Sequence, residues 1–160
     1  MKKLLLFAFV FVILIGGAFF YIKATPPLVT GAIYKTEDEK TIVIEIGNKG
    51  FADVKVTHVK VNNHGDPNSI SIQESNALEG FVLNPEANEK IEFKNVEEVS
   101  IPKKHIPEEI DAKQDEGKAT EEDKIYGLTV THHEHISNLH IKYKYLGIVF
   151  NKNVLVYEYK

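Results

Sequence analysis

The first apolar segment of the chain is continuous. Residues 4–22, LLLFAFVFVILIGGAFFYI, include no charged residue, and Lys2, Lys3 and Lys23 flank them. A helix rises about 1.5 Å per residue, so this segment would span roughly 28 Å, close to the hydrocarbon core of a bilayer. The pattern predicts a transmembrane helix.

This helix has two interpretations, an uncleaved anchor and a cleavable signal peptide. Residues 16–18, Gly-Gly-Ala, offer a small-residue cleavage site after an apolar core over residues 4–15. Against cleavage, the aromatic pair Phe20-Tyr21 suits a membrane–water interface. We expect an anchor with residues 1–3 in the cytoplasm and the rest outside, because the two lysines before the helix lie on its short side.

Beyond residues 23–27, a spacer that contains two prolines, apolar and polar positions alternate. Residues 41–48, TIVIEIGN, place three isoleucines on one face of an extended strand and Val43 and Glu45 on the other. Alternation of this kind predicts a β-strand with one buried face.

The next run, DVKVTHVKVN, changes parity near His58. One extra residue in a strand, a β-bulge, would bring its four valines onto the same side. Further short runs rich in Val, Ile, Phe and Tyr follow: SISIQES, GFVLNP, EKIEFKN, IYGLTVT, LHIKYKY, GIVF and VLVYEY. We place a hairpin turn at residues 151–153, between the last two of these runs.

No convincing helical period follows Lys23. Eight or nine short strands separated by polar turns predict an all-β fold, an antiparallel sandwich over residues 28–160. The segment IEIGNKGFADVKVTHVKVNN resembles the second and third strands of bacterial Ig-like modules, and FVLNPEANEKIEF resembles a later segment of such modules. The resemblance implies a membrane-anchored Ig-like ectodomain, more often a binding or assembly module than an enzyme, and it carries over no functional residue.

Composition removes several classes of function. The chain contains no cysteine, which excludes disulfides, thiolate nucleophiles, thiolate metal ligands and a lipid-modified cysteine. All 19 basic residues are lysines; without Lys2 and Lys3, 17 lysines face 23 acidic residues, a net charge of −6. Nucleic acid is therefore not an expected partner, since its binders carry a basic footprint and use arginine forks.

The longest irregular stretch, residues 102–124, holds eight acidic residues. We expect a solvated acidic loop with a helical turn near residues 108–114. A calcium-binding EF-hand loop beginning at Asp111 fails, because Lys113 takes a ligand position and Glu116 stands where the turn needs glycine. A looser cation contact stays open as an alternative.

Motifs of catalysis are missing from the sequence. The chain has no G-x-S-x-G elbow, no phosphate-binding glycine loop and no H-E-x-x-H. Acids outside the long loop, such as Glu45 and Glu92, occupy single positions that alternation assigns to outward faces. The sequence therefore predicts no enzyme and no cofactor.

Residues 131–140, THHEHISNLH, hold four of the seven histidines. On one extended strand, His133 and His135 would share a face and could bind zinc, copper or nickel together, with Glu134 as a further local candidate. The candidate metal ligands are His132, His133, His135 and His140.

Strand parity favours a different interpretation of the same segment. The apolar positions are even-numbered up to Val130 and odd-numbered from Leu139 onward. A connection must lie between them, so we expect a polar turn with solvated histidines at one end of the sandwich, and His140 on the outward face of the next strand. A metal site and a charge change near pH 6.5 remain alternatives.

Aromatic residues crowd the end of the chain. We expect them in the core with hydroxyls at its rim, the alternative being an exposed, protein-binding tyrosine stripe. They include Tyr143, Tyr145, Phe150, Tyr157 and Tyr159.

The sequence as a whole predicts a non-enzymatic, single-pass protein of the cell envelope. Residues 4–22 would hold it in the lipid bilayer, and its extracytoplasmic domain would bind or help to assemble another envelope protein. The alternatives are a metal-binding ectodomain and a domain secreted after signal-peptide cleavage.

Overall fold

The computed structural model describes the backbone of residues 2–84 and 91–156. In the helix at the amino terminus, it does not describe the side chains of residues 2–6 and Ala8. The expectation for Tyr157 and Tyr159 falls outside the described residues. The elements are α1 (Lys2–Ala24), β1 (Leu28–Lys35), β2 (Thr41–Asn48), β3 (Val54–Val61), β4 (Ser69–Asn76), β5 (Glu92–Lys94), α2 (Pro107–Asp115), β6 (Lys124–Thr131), β7 (Asn138–Tyr145) and β8 (Ile148–Leu155).

The strands form two antiparallel sheets. The five-stranded sheet has the order β1-β2-β6-β4-β5, and the three-stranded sheet has the order β3-β7-β8. Apolar side chains from both sheets form one continuous core between them. The prediction of an antiparallel β-sandwich with about eight strands is confirmed.

Alternate positions of the strands build this core. Ile44 and Leu128 from the five-stranded sheet meet Ile141 and Tyr143 from the three-stranded sheet, and all four are fully buried. The aromatic residues of β7 and β8 that the structure describes, which include Phe150, lie in the same core. For these residues the core interpretation is confirmed.

The parity change in β3 is a β-bulge, as predicted. The register of β3 against β7 shifts between Val56 and His58. The shift leaves the valines on either side of it buried against the same core.

The outer face of the five-stranded sheet is covered by residues 77–84 and 105–119, which we call the covering segment and which include α2. Gln73 fixes one part of it: its Nε2 donates to the Val82 carbonyl at 2.7 Å, and its Oε1 accepts from the Val82 N–H at 3.1 Å. Pro107 packs so closely on Gly47 that a Cβ there would lie 2.3 Å from its Cδ. Strand β2 is therefore buried on both faces.

One prediction about this region is confirmed and two are wrong. The helical turn expected near residues 108–114 is present as α2, although only Pro107 and Ile110 of its nine residues are buried. The same contacts dock α2 on the sheet, so the long acidic stretch is not simply a solvated loop. Glu45 does not point to solvent; it is 3% exposed beneath the covering segment.

The hairpin near the carboxyl terminus lies elsewhere than predicted. Residues 151–153 continue β8, and the turn is Leu146-Gly147, with Tyr145 paired to Ile148. Both turn residues have positive φ, 51° and 76°, as a two-residue type I′ hairpin requires. The two asparagines at 151 and 153 resemble turn formers, but both pair with β7 in register.

Strand limits elsewhere also differ from the patterns. Strand β1 was not predicted, and GFVLNP does not form a strand over its described residues 80–84. GIVF and VLVYEY contribute to the single strand β8, so the total of eight strands agrees while their identities do not.

The sandwich has two distinct ends. At the helix end, α1 joins β1 beside the β2–β3 connection, residues 49–53, and the β7–β8 turn. At the histidine end lie the connections 36–40, 62–68 and 132–137.

Helix α1 contacts the sandwich through its last turn. Ile22 packs against the core, and Lys23 donates to the Val149 carbonyl at 3.1 Å while lying 5.0 Å from the centre of the Phe150 ring. The described apolar side chains before Ile22 are exposed. Within the part of the chain that the structure describes, no helix is long and apolar enough to cross a membrane.

Candidate functional site

The histidine cluster lies in the connection between β6 and β7, as strand parity predicted. The His132 N–H donates to the Lys40 carbonyl at 2.8 Å, and the Ile136 N–H donates to the Glu39 carbonyl at 3.0 Å. Ile136 is fully buried and closes the core at the histidine end. The connection therefore has one fixed conformation rather than that of a free loop.

Asn62 holds the same connection from the other side. Its Nδ2 donates to the His135 carbonyl at 2.8 Å, and its Oδ1 accepts from the Ser137 N–H at 2.9 Å. Asn62 has a φ of 50°, in the left-handed region that asparagine tolerates better than most residues. The end of β3 thus positions the histidines of the β6–β7 connection.

Three neighbouring side chains converge in this connection. His132, His133 and Glu134 each present one potential ligand atom, and these atoms all lie within 4.8 Å of one another. The two imidazole rings lie 4.1 Å apart between centres, and His133 Nε2 lies 3.8 Å from Glu134 Oε1. The group is assembled from consecutive residues because the backbone turns there instead of remaining extended.

His132 differs from the other two members in its burial. It is 7% exposed, whereas His133 and Glu134 face solvent. Its Nδ1 is buried and has no hydrogen-bond partner among the residues that the structure describes. A buried nitrogen without a partner costs about 1–3 kcal/mol, which a metal ion or another ligand at this position would offset. The expectation of solvated histidines is wrong for His132.

His135 lies outside this group of three. Its Nδ1 lies 2.5 Å from Glu39 Oε2, and Glu39 also binds Lys35. The hydrogen bond from Lys35 lowers the pKa of Glu39, and the charge of His135 lowers it further by a smaller amount. The structure therefore separates His133 from His135, the pair that strand alternation would have placed together.

His140 is also engaged elsewhere. It stacks on His64 with ring centres 4.1 Å apart and 12° between planes. Its Nδ1 lies 2.8 Å from Asn153 Oδ1, and its Nε2 lies 2.9 Å from the Asn62 carbonyl. Both nitrogens of His140 are therefore in hydrogen-bonding contacts, and His140 does not join the group of three.

The group of three has the chemistry of a metal site. Two imidazoles and one carboxylate form a donor set that proteins use for zinc with a fourth position open. Tetrahedral zinc with ligands near 2.0–2.1 Å separates them by about 3.3 Å, so the present spacing closes by side-chain rotation. His133 and Glu134 are exposed, so they can rotate towards the buried His132, and for His133 this would replace a 3.4 Å contact between its Nδ1 and Asn68 Oδ1.

Glu45 is a further candidate functional residue, which the alternation of polar and apolar positions had placed on an outward face. Its carboxylate lies between β2 and α2, where burial raises its pKa to about 7, assisted by the negative charge of Asp111 and, less, by that of Glu108. The Ala32 N–H, at the bulge of β1, donates to it and acts in the opposite direction. The signal in the sequence was a carboxylate inside an otherwise apolar strand, TIVIEIGN.

His105 is the second residue whose position could not be inferred. It lies edge-to-face on Tyr126, with ring centres 4.9 Å apart, and burial lowers its pKa. Its Nε2 is buried without a hydrogen-bond partner among the described residues. It lines a cleft of about 310 Å³ that Lys113 and Asp123, an ion pair, also border.

No protein-family model, curated protein or solved structure matches this chain.

Proposed function

We propose that the chain is a non-enzymatic, single-pass membrane protein whose Ig-like sandwich lies outside the cytoplasm and serves as a binding or assembly module of the cell envelope. Strand order is the observation that carries the Ig-like assignment. The constant-type Ig fold has strands ABED in one sheet and CFG in the other. In chain order, β1-β2-β6-β4 corresponds to ABED and β3-β7-β8 to CFG, with β5 added beside β4.

The exposed apolar surface of α1 supports the membrane assignment. Large side chains such as Phe9, Phe11 and Phe20 lie exposed on this helix, and among its described side chains those that contact the sandwich core belong to its last turn. Apolar area in water costs about 25 cal/mol per Å², so this helix requires an apolar environment. The side chains of residues 4–6 and Ala8 are not described, so the anchor is argued from the sequence of residues 4–22 together with this exposure.

Membrane extraction with alkaline carbonate tests the anchor. We expect the full chain to stay in the membrane fraction and to keep the mass of the uncleaved protein. Protease added outside intact cells should digest the sandwich, whereas protease confined to the cytoplasmic side should not. If the protein is instead released from the membrane with the mass of a chain that begins at Phe19, residues 1–18 are a cleaved signal peptide and not an anchor.

Photo-crosslinking in intact cells tests the binding role. A crosslinking residue at His133 would sample the histidine end, which the proposed anchor holds away from the bilayer, and one at Thr57 would sample the outer face of β3 as a comparison. We expect a discrete adduct with a second envelope protein from at least one position. Adducts with another copy of the chain alone would instead indicate a self-assembling protein, and no adduct from either position would contradict the binding role.

Metal binding at His132, His133 and Glu134 is a second candidate function. The observation that favours it is the buried Nδ1 of His132, which has no hydrogen-bond partner in the described part of the chain. Titration of zinc or copper into the full chain in detergent tests it. His133→Ala is expected to weaken metal binding at least about tenfold, because even the loss of a residue that hydrogen-bonds to a metal ligand lowers affinity about 10–100-fold.

The matched control is His135→Ala, which removes an equally exposed imidazole that pairs with Glu39. We expect this variant to bind metal like the parent. Equal losses in His133→Ala and His135→Ala would favour the pair on one strand face over the group of three, and absence of binding would remove the metal function.

A further inference from the structure

A cleft of about 430 Å³ lies at the helix end, between the last turn of α1 and the sandwich. Tyr21 and Ile22 of α1 form one wall, and Phe51 and Tyr145 form the other. The two aromatic rings of the second wall are held edge-to-face, 5.7 Å between centres, and the Phe51 N–H donates to the Tyr145 hydroxyl at 3.1 Å. The cleft is thus a rigid, mostly apolar recess directly beside the proposed anchor.

The charged residues that line this cleft are of one sign. They are Lys49 and Lys104, and no acidic residue is among the described lining residues. Burial lowers the pKa of Lys152, and the nearby charge of Lys49 lowers it further. The recess therefore combines an apolar wall with a positive potential, which suits a phosphate group attached to an acyl chain.

The two tips at this end carry exposed apolar side chains. Phe51, in the β2–β3 connection, is 61% exposed, and Leu146, in the β7–β8 turn, is 44% exposed. Leu146 has a φ of 51°, and type I′ turns strongly prefer asparagine or glycine at this position. A leucine that is both exposed and unfavourable for its turn indicates a contact that the isolated sandwich does not supply.

We infer that the helix end docks on the surface of an anionic bilayer, with a phosphate headgroup at Lys49 and Lys104 and with Phe51 and Leu146 at the acyl boundary. This inference rests on the proposed anchoring of α1, which would hold the same end of the sandwich against the membrane. Amphipathic aromatic residues and lysines are the side chains that favour this interface. The occupant is a lipid and not a soluble phosphate, because the wall of the cleft is mostly apolar and includes the exposed ring of Phe51.

Fluorescence in vesicles tests this contact without background, because the chain contains no tryptophan. The full chain carrying Phe51→Trp is reconstituted into phosphatidylcholine vesicles with brominated acyl chains, with or without phosphatidylglycerol as one lipid in three. We expect bromine to quench this tryptophan and phosphatidylglycerol to increase the quenching. The matched control is Leu155→Trp, an exposed leucine, 52% accessible, at the histidine end, which is expected to stay unquenched.

The combined variant Lys49→Gln, Lys104→Gln identifies the headgroup contact. In the Phe51→Trp background it is expected to abolish the increase that phosphatidylglycerol causes, while the paired change Lys55→Gln, Lys142→Gln on the three-stranded sheet preserves it.

Flotation of the same vesicles separates the two proposals. A chain that floats but shows no quenching of Phe51→Trp, or quenching equal to that of Leu155→Trp, would overturn the docking and leave the anchor in place. A chain that does not float would overturn the anchor itself. Quenching that is unaffected by phosphatidylglycerol or by the two lysines would overturn the anionic headgroup site.

Discussion

Apart from the three-residue β5, the strands of the two sheets are equally long, but the sheets differ in how many of their faces are buried. In the five-stranded sheet, β2 and β6 are buried at nearly every position. In the three-stranded sheet, β3 and β7 alternate between buried and exposed or partly exposed residues. The difference arises because the covering segment lies over the first sheet, whereas no segment that the structure describes covers the outer face of the second. Polar–apolar alternation is therefore informative only for a sheet that faces water on one side.

The covered face accommodates its second layer with few apolar side chains. Gly47 lets Pro107 approach, and Gln73 bonds both to the covering segment and to Thr129 Oγ1, at 2.7 Å. Glycine, amide and carboxylate groups fill positions that solvent-facing residues would otherwise occupy. A polar residue on this face consequently reports a contact with the covering segment.

A buried charge on the covered face should produce the largest effect. Val43 is fully buried beneath the covering segment, so Val43→Asp places an unpaired carboxylate in an apolar site and is expected to cost more than about 4 kcal/mol. Leu155→Asp is the matched change at an exposed position of β8 and is expected to stay within about 0.5 kcal/mol. Denaturant unfolding of both variants measures the contrast, and similar losses would mean that the two outer faces do not differ.

The inner faces, in contrast, should respond alike. Ile44 and Ile141 are both fully buried in the shared core, one from each sheet. Each Ile→Ala change is expected to lower the free energy of unfolding by about 3 kcal/mol, within the 2–5 kcal/mol typical of such truncations. Losses in one sheet only, measured by the same denaturant unfolding, would show that the core is not shared.

Glu45 gives the covered sheet a pH dependence in the acid-to-neutral range. Its pKa is about 7 in the folded protein and 4.5 as the ordinary value, so between these values the folded chain binds the extra proton. Stability from this group therefore falls as pH rises from about 4.5 to 7 and stays low above that range.

Glu45→Gln removes the titration and should raise stability at pH 8 by an amount on the order of 2 kcal/mol, after allowance for partial solvation. The same variant should change stability little at pH 4. The acidic groups facing it are Glu108 and Asp111 of α2 and, from β1, Tyr34, whose pKa burial and Glu45 raise.

The difference in unfolding free energy between Glu45→Gln and the parent contains the contribution of Glu45, while that of His105 is common to both and cancels. The lowered pKa of His105 acts in the opposite sense, because its unfolded form binds protons more readily and stability from it rises with pH. A pH profile of Glu45→Gln that runs parallel to the parent's would place the carboxylate in solvent.

The fold was predictable where local pattern reflects a single buried face. The bulge near His58 and the connection between Val130 and Leu139 both followed from parity and are confirmed. The covering segment could not be derived, since α2 has two buried residues and docks through contacts distant in the sequence. The β7–β8 turn was misplaced because an unfavourable Leu-Gly pair forms it while asparagines continue the strand.

The location of the histidine site was predictable from the sequence, but which residues come together in it was not. Parity identified the connection, yet the burial of His132 depends on the bond from its N–H to Lys40, and the diversion of His135 depends on Glu39. Both partners belong to the β1–β2 connection, over 90 residues away in the chain. Spacing within THHEHISNLH contains no information about them.

The β7–β8 turn should give the smallest effect, with a sign opposite to that of the core truncations. Leu146→Asn places a residue that tolerates positive φ in the type I′ turn and is expected to stabilise the sandwich by about 0.5–1 kcal/mol. Thermal unfolding measures the gain, and Gly147→Ala, which makes the second turn residue less suitable, should lose a similar amount. If Leu146 is retained for the bilayer contact, the Leu146→Asn chain should also show weaker quenching of Phe51→Trp in vesicles. A variant that is less stable than its parent would mean that Leu146 packs within the sandwich and has no need of a lipid partner.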